Sequence, residues 1–227
     1  GFLPKTAATK GLDKEYDFLR SLKQVRKRGK NSFYKCADVR ALTWAAERVT
    51  RTRYTDLFSH LVWSRIGAEN DAYELCNAAT GTAFVSVGTA VTLRDFARVG
   101  LMLLNNGTVG DAEVVPKNFI DDVRAHRFDR ELMRHANSYS PHHTIGPESL
   151  RLKSDGLGYR SWFWTWDSGQ FCAIGAFSQQ FNVYPEGNVV IAKFSSLFPR
   201  NPQISAKKDA LQRIGMKQIA EKVASEC

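Results

Sequence analysis

The spacing of apolar residues changes partway along the chain. Leu12, Tyr16, Leu19, Leu22 and Val25 recur at helical intervals, with Gly29 as a plausible stop. Val39, Leu42, Ala46 and Val49 predict a second helix with Asp38 near its start, and Tyr54, Leu57, Phe58 and Leu61 a third, ending around Ile66-Gly67. FVSVG (Phe84 to Gly88) reads as a short strand. Thr92 caps a strong helix through Phe96, Val99, Leu101, Met102 and Leu103, closing on Asn105-Asn106-Gly107. Pro116 suits the first turn of another, PKNFIDDVRAH.

Residues 127–157 are polar and irregular, long enough to form a functional loop. Beyond them GYRSWFWTWD, FCAIGAFSQQFNVYP and NVVIAKFSS are rich in aromatic and β-branched residues and are split by DSG and PEG turns, which predicts an antiparallel three-strand meander. Ile204 to Val223 form an amphipathic closing helix, with Leu211, Ile214, Ile219 and Val223 on one side. Helices followed by strands predict an α+β fold with the last helix lying on the sheet. No internal repeat or Gly/Pro linker separates independent domains.

Composition narrows the class. At 43% hydrophobic and 24% charged, the 227 residues fit a globular protein and exclude fibre or overall disorder. The longest apolar runs, such as VGLMLL, are far too short to cross a bilayer, so no membrane association is expected. No signal segment opens the chain, and the compartment stays open. The net charge of +9 is concentrated at one end. Residues 1–53 hold 14 Lys/Arg against 5 Asp/Glu, and residues 54–227 hold 18 against 18. The densest part, LKQVRKRGK, lacks interleaved aromatics and reads as a solvated helix end, with no nucleic-acid partner expected. Cys36, Cys76, Cys172 and Cys227 show no paired spacing. His126, His135, His142 and His143 form a loose polar group without metal-ligand geometry.

One short stretch carries candidate chemistry. NSFYKC offers Ser32 and Lys35 as Ser-x-x-Lys, the spacing of a nucleophile and its base on one helical face. It also offers Tyr34 with the small side chain of Cys36 two positions on. Gly29, Asn31 and Ser32 are turn formers, so Ser32 is expected before the helix begins and need not share a face with Lys35.

Several longer phrases decide between these readings. They are FYKCADVRALTWAAERVT, RIGAENDAYE, TLRDFARVGLMLLNNG and VVPKNF, then GLGYRSWFW and AIGAFSQQFNVYPEGNVVIAKFSS. From about Phe33 onward, this order resembles the serine β-lactamase-related superfamily, in its class C-like esterase and 6-aminohexanoate-dimer hydrolase branch. The resemblance implies a β-lactamase/transpeptidase-like α+β fold with flanking helices and a partial helical lobe. On that basis, residues 1–157 would hold the partial helical lobe with the tyrosine motif. Residues 158–227 would hold the meander and last helix of the α/β lobe, and both would belong to one catalytic unit. It implies no cofactor and no metal.

Within the resemblance Tyr34 is the family tyrosine, a group whose unperturbed pKa near ~10 lets it relay a proton beside a lysine. Cys36 stands where Asn or Ser is usual. The third motif appears as Gly175-Ala176-Phe177-Ser178-Gln179, with Phe177 in place of a His, Tyr or Lys, so charge recognition by that side chain is lost. Phe177, Ser178, Gln179, Tyr159 and Trp162 are the expected substrate-binding residues, and Tyr73 matches the family in type. No Ser-x-x-Lys helix precedes Tyr34, so the sequence reads as the C-terminal portion of a serine hydrolase of esters or small amides. Such a portion is expected to be inert alone and to self-associate through surface left uncovered. A non-catalytic binding homologue is the alternative.

Overall fold

The computed structural model describes residues 13–24, 35–78, 80–125, 158–196 and 202–226, with side chains from residue 16 in the first helix and from residue 211 in the last. Helix α1 (Asp13–Ser21) stops earlier than the apolar spacing suggests. Helices α2 (Cys36–Thr50) and α3 (Tyr54–Leu61) follow, with a 3₁₀ turn at Trp63–Arg65. Tyr16 stacks on Trp44 at 4.6 Å between ring centroids, fastening α1 to α2.

The expected stripe on α2 does not face a core. Leu42 and Val49 are exposed, Val49 at 84%, and the residue of α2 that is buried is Arg40. FVSVG is not a strand either. Phe84 accepts a turn hydrogen bond from the Val87 N–H at 2.8 Å, and pairing nearby is limited to the isolated bridges Tyr73↔Ala90 and Cys76↔Ala83. β-branched content alone could not supply a partner strand.

Thr92 caps α4 (Leu93–Leu104) as expected, its Oγ1 accepting the Asp95 N–H at 3.1 Å. The same threonine hydroxyl donates to the Asp95 carboxylate at 2.8 Å. Asp95 is fully buried and also accepts the N–H groups of Glu69 (2.9 Å) and Asn70 (3.2 Å), together with Arg98 Nη1 at 2.6 Å. The Glu69 N–H above all, then the Thr92, Asn70 and Arg98 contacts, hold this carboxyl well below the ordinary range against the opposing effect of burial. The loop after α3 is thereby tied to the start of α4.

Helix α4 closes at Asn105, and Gly107 (φ +88°) donates back to Met102 O at 2.9 Å. A Cβ on Gly107 would lie 1.9 Å from Val115 O, so only glycine fits that crossing. A short ribbon of β1 (Thr108–Val109) and β2 (Ala112–Glu113) leads into α5 (Lys117–Ala125), with Pro116 at its entry.

The C-terminal strands form five, not three: β3 (Gly158–Arg160), β4 (Phe163–Thr165), β5 (Phe171–Ile174), β6 (Gln180–Tyr184) and β7 (Val189–Lys193), antiparallel and in sequential order. Two turns made the difference. Ser161 (φ 49°) and Trp162 (φ 68°) form a two-residue hairpin loop, and Phe177 (φ 59°) with Ser178 (φ 67°) break the long middle segment. Both use left-handed backbone without glycine or asparagine, so the residues that usually announce such turns are absent.

Alternation sorts the sheet into two faces. Phe163, Phe171, Ala173, Phe181, Val183, Val190 and Ala192 join Met102, Leu103 and Leu104 of α4 and Ile120 and Val123 of α5 in the apolar core. Gly100 of α4 lies against Val190, where a Cβ would come within 2.6 Å. Helix α6 (Pro202–Glu226) covers the other face. From Leu211 onward Met216 and Ala220 are buried, while Leu211, Ile214, Ile219 and Val223 are exposed, opposite to expectation. At Gly187 the contact is close, with a Cβ there only 3.0 Å from Ala224 Cβ. Arg160 on β3 grips Asp122 on α5 through two 2.7 Å hydrogen bonds, joining the elements on either side of residues 126–157. No described helix is long and apolar enough to cross a membrane.

Candidate active site

Antiparallel register places three chain segments at one end of the sheet. The start of β4 lies beside the end of β5, and the end of β7 pairs with the start of β6. The Ser161–Trp162 turn, the Gly175–Gln179 turn and residues 193–195 therefore share that end. Trp162 and Phe177 present aromatic rings there, 42% and 41% exposed.

The Gly175–Gln179 turn is closed by the Gly175 N–H donating to Gln179 O at 2.7 Å. Two consecutive left-handed residues that are not glycine cost about 1–2 kcal/mol each, and persist only when neighbours determine them. The neighbours are visible. Lys193 Nζ donates to Ser178 O and lies equally close to Ser178 Oγ, both at 3.3 Å, and donates to Gln212 Oε1 at 2.7 Å. Ser178 Oγ donates to the same Gln212 oxygen at 3.1 Å. Gln179 clamps Ser195, accepting its N–H at 2.9 Å and donating Nε2 to its carbonyl. One strand residue, one helix residue and one strand extension thus hold the turn. Chemically this end offers a fixed backbone bend with two half-exposed aromatic rings, and no charge on the Phe177 side chain.

The remaining expected residues lie elsewhere. Tyr159 packs edge-on against Trp164, with ring centroids 4.7 Å apart, as part of the sheet. Cys36 is the first residue of α2, a free thiol, with Lys35 as N-cap. Tyr34 and Ser32 lie outside the described residues, as do the histidine group, Cys227 and the basic run from Val25 to Lys30. Tyr73 is largely exposed beside its bridge to Ala90.

Sequence reasoning overlooked three residues. Arg40, one turn after Cys36, is buried, donates Nε to Ser86 Oγ at 3.0 Å and lies over the Phe84 ring at 5.6 Å. Its helical offset from Cys36 was the available signal. Lys193 and Gln212 hold the strained turn, but come from distant positions that only tertiary structure brings together. Buried titratable groups beneath α6 shift as burial requires: the Cys172 thiol and Tyr184 phenol are both pushed up, and neither lies at the sheet end just described.

No family model matches the chain. A curated relative, 6-aminohexanoate-dimer hydrolase of Paenarthrobacter ureafaciens, is 32% identical over 183 residues, which are 80% of this chain and 43% of the relative. Among solved structures, the protein from Bacillus anthracis described as a "putative 6-aminohexanoate-dimer hydrolase" superposes with a TM-score of 0.71 at 25% identity, over 93% of this chain and 50% of its own. The "putative beta-lactamase" from Bacteroides dorei DSM 17855 gives 0.60 at 16% identity, over 91% of this chain and 66% of its own, and speaks to the fold alone. The chain thus spans about half the length, or less, of the dimer hydrolases it matches. Sequence likeness and shared architecture agree: the chain belongs to the serine β-lactamase-related superfamily, a family of β-lactamase-like hydrolases.

Proposed function

We propose that the protein of which this chain is a part hydrolyses esters or small amides through an acyl-serine intermediate. The nucleophile is the serine of a Ser-x-x-Lys pair outside this chain. The lysine draws off the serine proton, and Tyr34 relays a proton to the leaving group. In sequence Tyr34 comes two positions before Cys36, the first residue of α2. The observation that carries this reading is the pinned left-handed turn at Phe177–Ser178, since backbone strain held from several sides is characteristic of functional sites. Phe177 and Trp162 favour an apolar acyl portion, and the named relative is a 6-aminohexanoate-dimer hydrolase. Ser178 and Gln179 shape the same end of the sheet, while Tyr159 braces Trp164 within it.

The 227-residue chain alone should not turn over p-nitrophenyl acetate, while a longer natural form bearing Ser-x-x-Lys should. In that longer form Tyr34→Phe should lower kcat by roughly 10²–10⁴-fold, the usual worth of a general acid–base group. Turnover by the 227-residue chain that Ser32→Ala abolishes would overturn the assignment of the nucleophile. A second reading, a binding protein of the same fold without catalysis, is favoured by Phe177 and Cys36, which replace polar groups. The upstream reading frame discriminates the two, because a binding-only protein need not preserve Ser-x-x-Lys.

A further inference from the structure

The acyl-transfer reading leaves unused a basin of about 600 Å³ where the end of α2 meets the start of α3. Arg48, Arg51, Arg53, Thr80 and Thr82 line it, with Glu47 the acidic residue among the lining groups. The Glu47 carboxylate is already engaged. It accepts the Tyr54 N–H at 2.8 Å and the Tyr16 hydroxyl at 3.2 Å, so it caps α3 and fastens α1. Arg53 is seated in the wall, donating Nη1 to Thr80 O at 3.4 Å. Its Nη1 lies 2.2 Å from where a Cβ on Gly81 would be, and Gly81 has φ +67°. The left-handed backbone suits a glycine at this point in the wall. The guanidiniums of Arg48 and Arg51 have no hydrogen bond or ion pair among the described residues.

Helix electrostatics explain only part of this grouping. Arg48 and Arg51 at the C-terminal end of α2 suit its dipole, but Arg53 occupies the N-cap of α3, where a cation is disfavoured. Arg51 also takes a left-handed conformation (φ 57°) that glycine or asparagine adopts more readily. Three guanidiniums within six residues, beside the Thr80 and Thr82 hydroxyls 3.4 Å apart, form a donor set suited to oxyanions. The volume falls in the range of small-molecule sites.

We propose that this basin binds a small molecule bearing two or more anionic oxygen groups, phosphate or carboxylate, received by Arg48, Arg51 and Arg53. It lies at the opposite end of α2 from Cys36, roughly 20 Å away by helical rise.

The test is calorimetric titration of the 227-residue chain with pyrophosphate and, separately, citrate, at constant ionic strength made up with chloride. We expect saturable binding of one equivalent, with the tighter probe identifying the anion type. Arg48→Gln and Arg51→Gln should each weaken it about tenfold, as expected for a charge-assisted contact. Both side chains are exposed, so the unliganded melting temperature should be unchanged. Lys217→Gln, on the exposed side of α6, should leave affinity intact. Absence of saturable binding of either probe at millimolar concentration overturns the proposal. So does full binding by both arginine variants, or an equal loss in Lys217→Gln, which would mark a response to overall charge.

Discussion

The two faces of the β3–β7 sheet are built from alternating residues of the same strands, yet they differ in kind. Toward α4 and α5 the sheet offers Phe163, Phe171, Phe181 and Val183 to an aliphatic and aromatic core. Toward α6 it offers Trp164, Trp166, Gln170, Cys172, Gln180, Asn182 and Tyr184, all buried. On this second face Asn182 Nδ2 contacts Met216 Sδ at 3.1 Å, and Trp166 Nε1, Gln170 Nε2 and the Tyr184 hydroxyl are buried without a partner among the described residues. The first face is secured by burial, which is non-directional and tolerant of small shifts. The second depends on polar groups whose burial is costly unless each is matched. It is also the face that reaches the strained turn, through Lys193 and Gln212. Stability and positioning are thus divided between opposite sides of one sheet.

The contrast is most easily broken at Phe171, 1% exposed on the apolar face. Phe171→Ala should cost about 3–5 kcal/mol in urea unfolding. A loss near 1 kcal/mol would show that this face is not the main store of stability. A neighbouring pair sharpens the point. Val183→Asn places an amide in the apolar core and should cost about 3 kcal/mol, combining lost burial with an unmatched polar group. Asn182→Leu, one residue away on the other face, should change stability by less than about 1.5 kcal/mol. Similar losses for both would erase the distinction.

Acid should act through the α4 side. The Asp95 carboxyl is lowered in the folded chain, chiefly by the Glu69 N–H, so its contribution is complete above the unfolded carboxylate value near ~3.9 and is lost as pH falls toward the folded value. Stability of the parent should decline below about pH 4, and more steeply than in Asp95→Asn, when unfolding is followed from pH 6 to 2. Parallel profiles would remove Asp95 from the account. The smallest effect is a gain. Ser161→Asn with Trp162→Gly supplies the residues preferred in a two-residue hairpin loop and should add about 1 kcal/mol. In the longer, active form it should raise KM, because an exposed aromatic at the sheet end is lost.

Much of the architecture was legible where local chemistry and tertiary structure agree. Thr92, Asn105-Asn106-Gly107 and Pro116 punctuate their helices as their side chains and dihedral preferences dictate. Legibility failed where a distant partner decides. Leu42, Val49 and Leu211 have apolar side chains at helical spacing but stay exposed, so periodicity misjudged which side is buried. The extra strands were hidden because Ser161-Trp162 and Phe177-Ser178 turn without the usual turn residues. Phe177, Ser178, Gln179 and Trp162 were singled out from the ordered motifs and come to one end of the sheet, whereas Lys193 and Gln212 join them only through the folded sheet and α6. The exposed apolar residues of α2 and α6 also support the proposed self-association. Light scattering should show mass rising with concentration, and a monomer throughout would contradict it.

The Arg160–Asp122 pair, with Ile120 and Val123 sunk in the core, anchors α5 and β3 independently of the segment that connects them. The edge strand β3 is therefore fastened to α5 by side chains that these two elements carry themselves, one residue before the Ser161–Trp162 turn. Asp122, 38 residues before Arg160 in the chain, thereby becomes part of what sets the sheet end that carries Trp162.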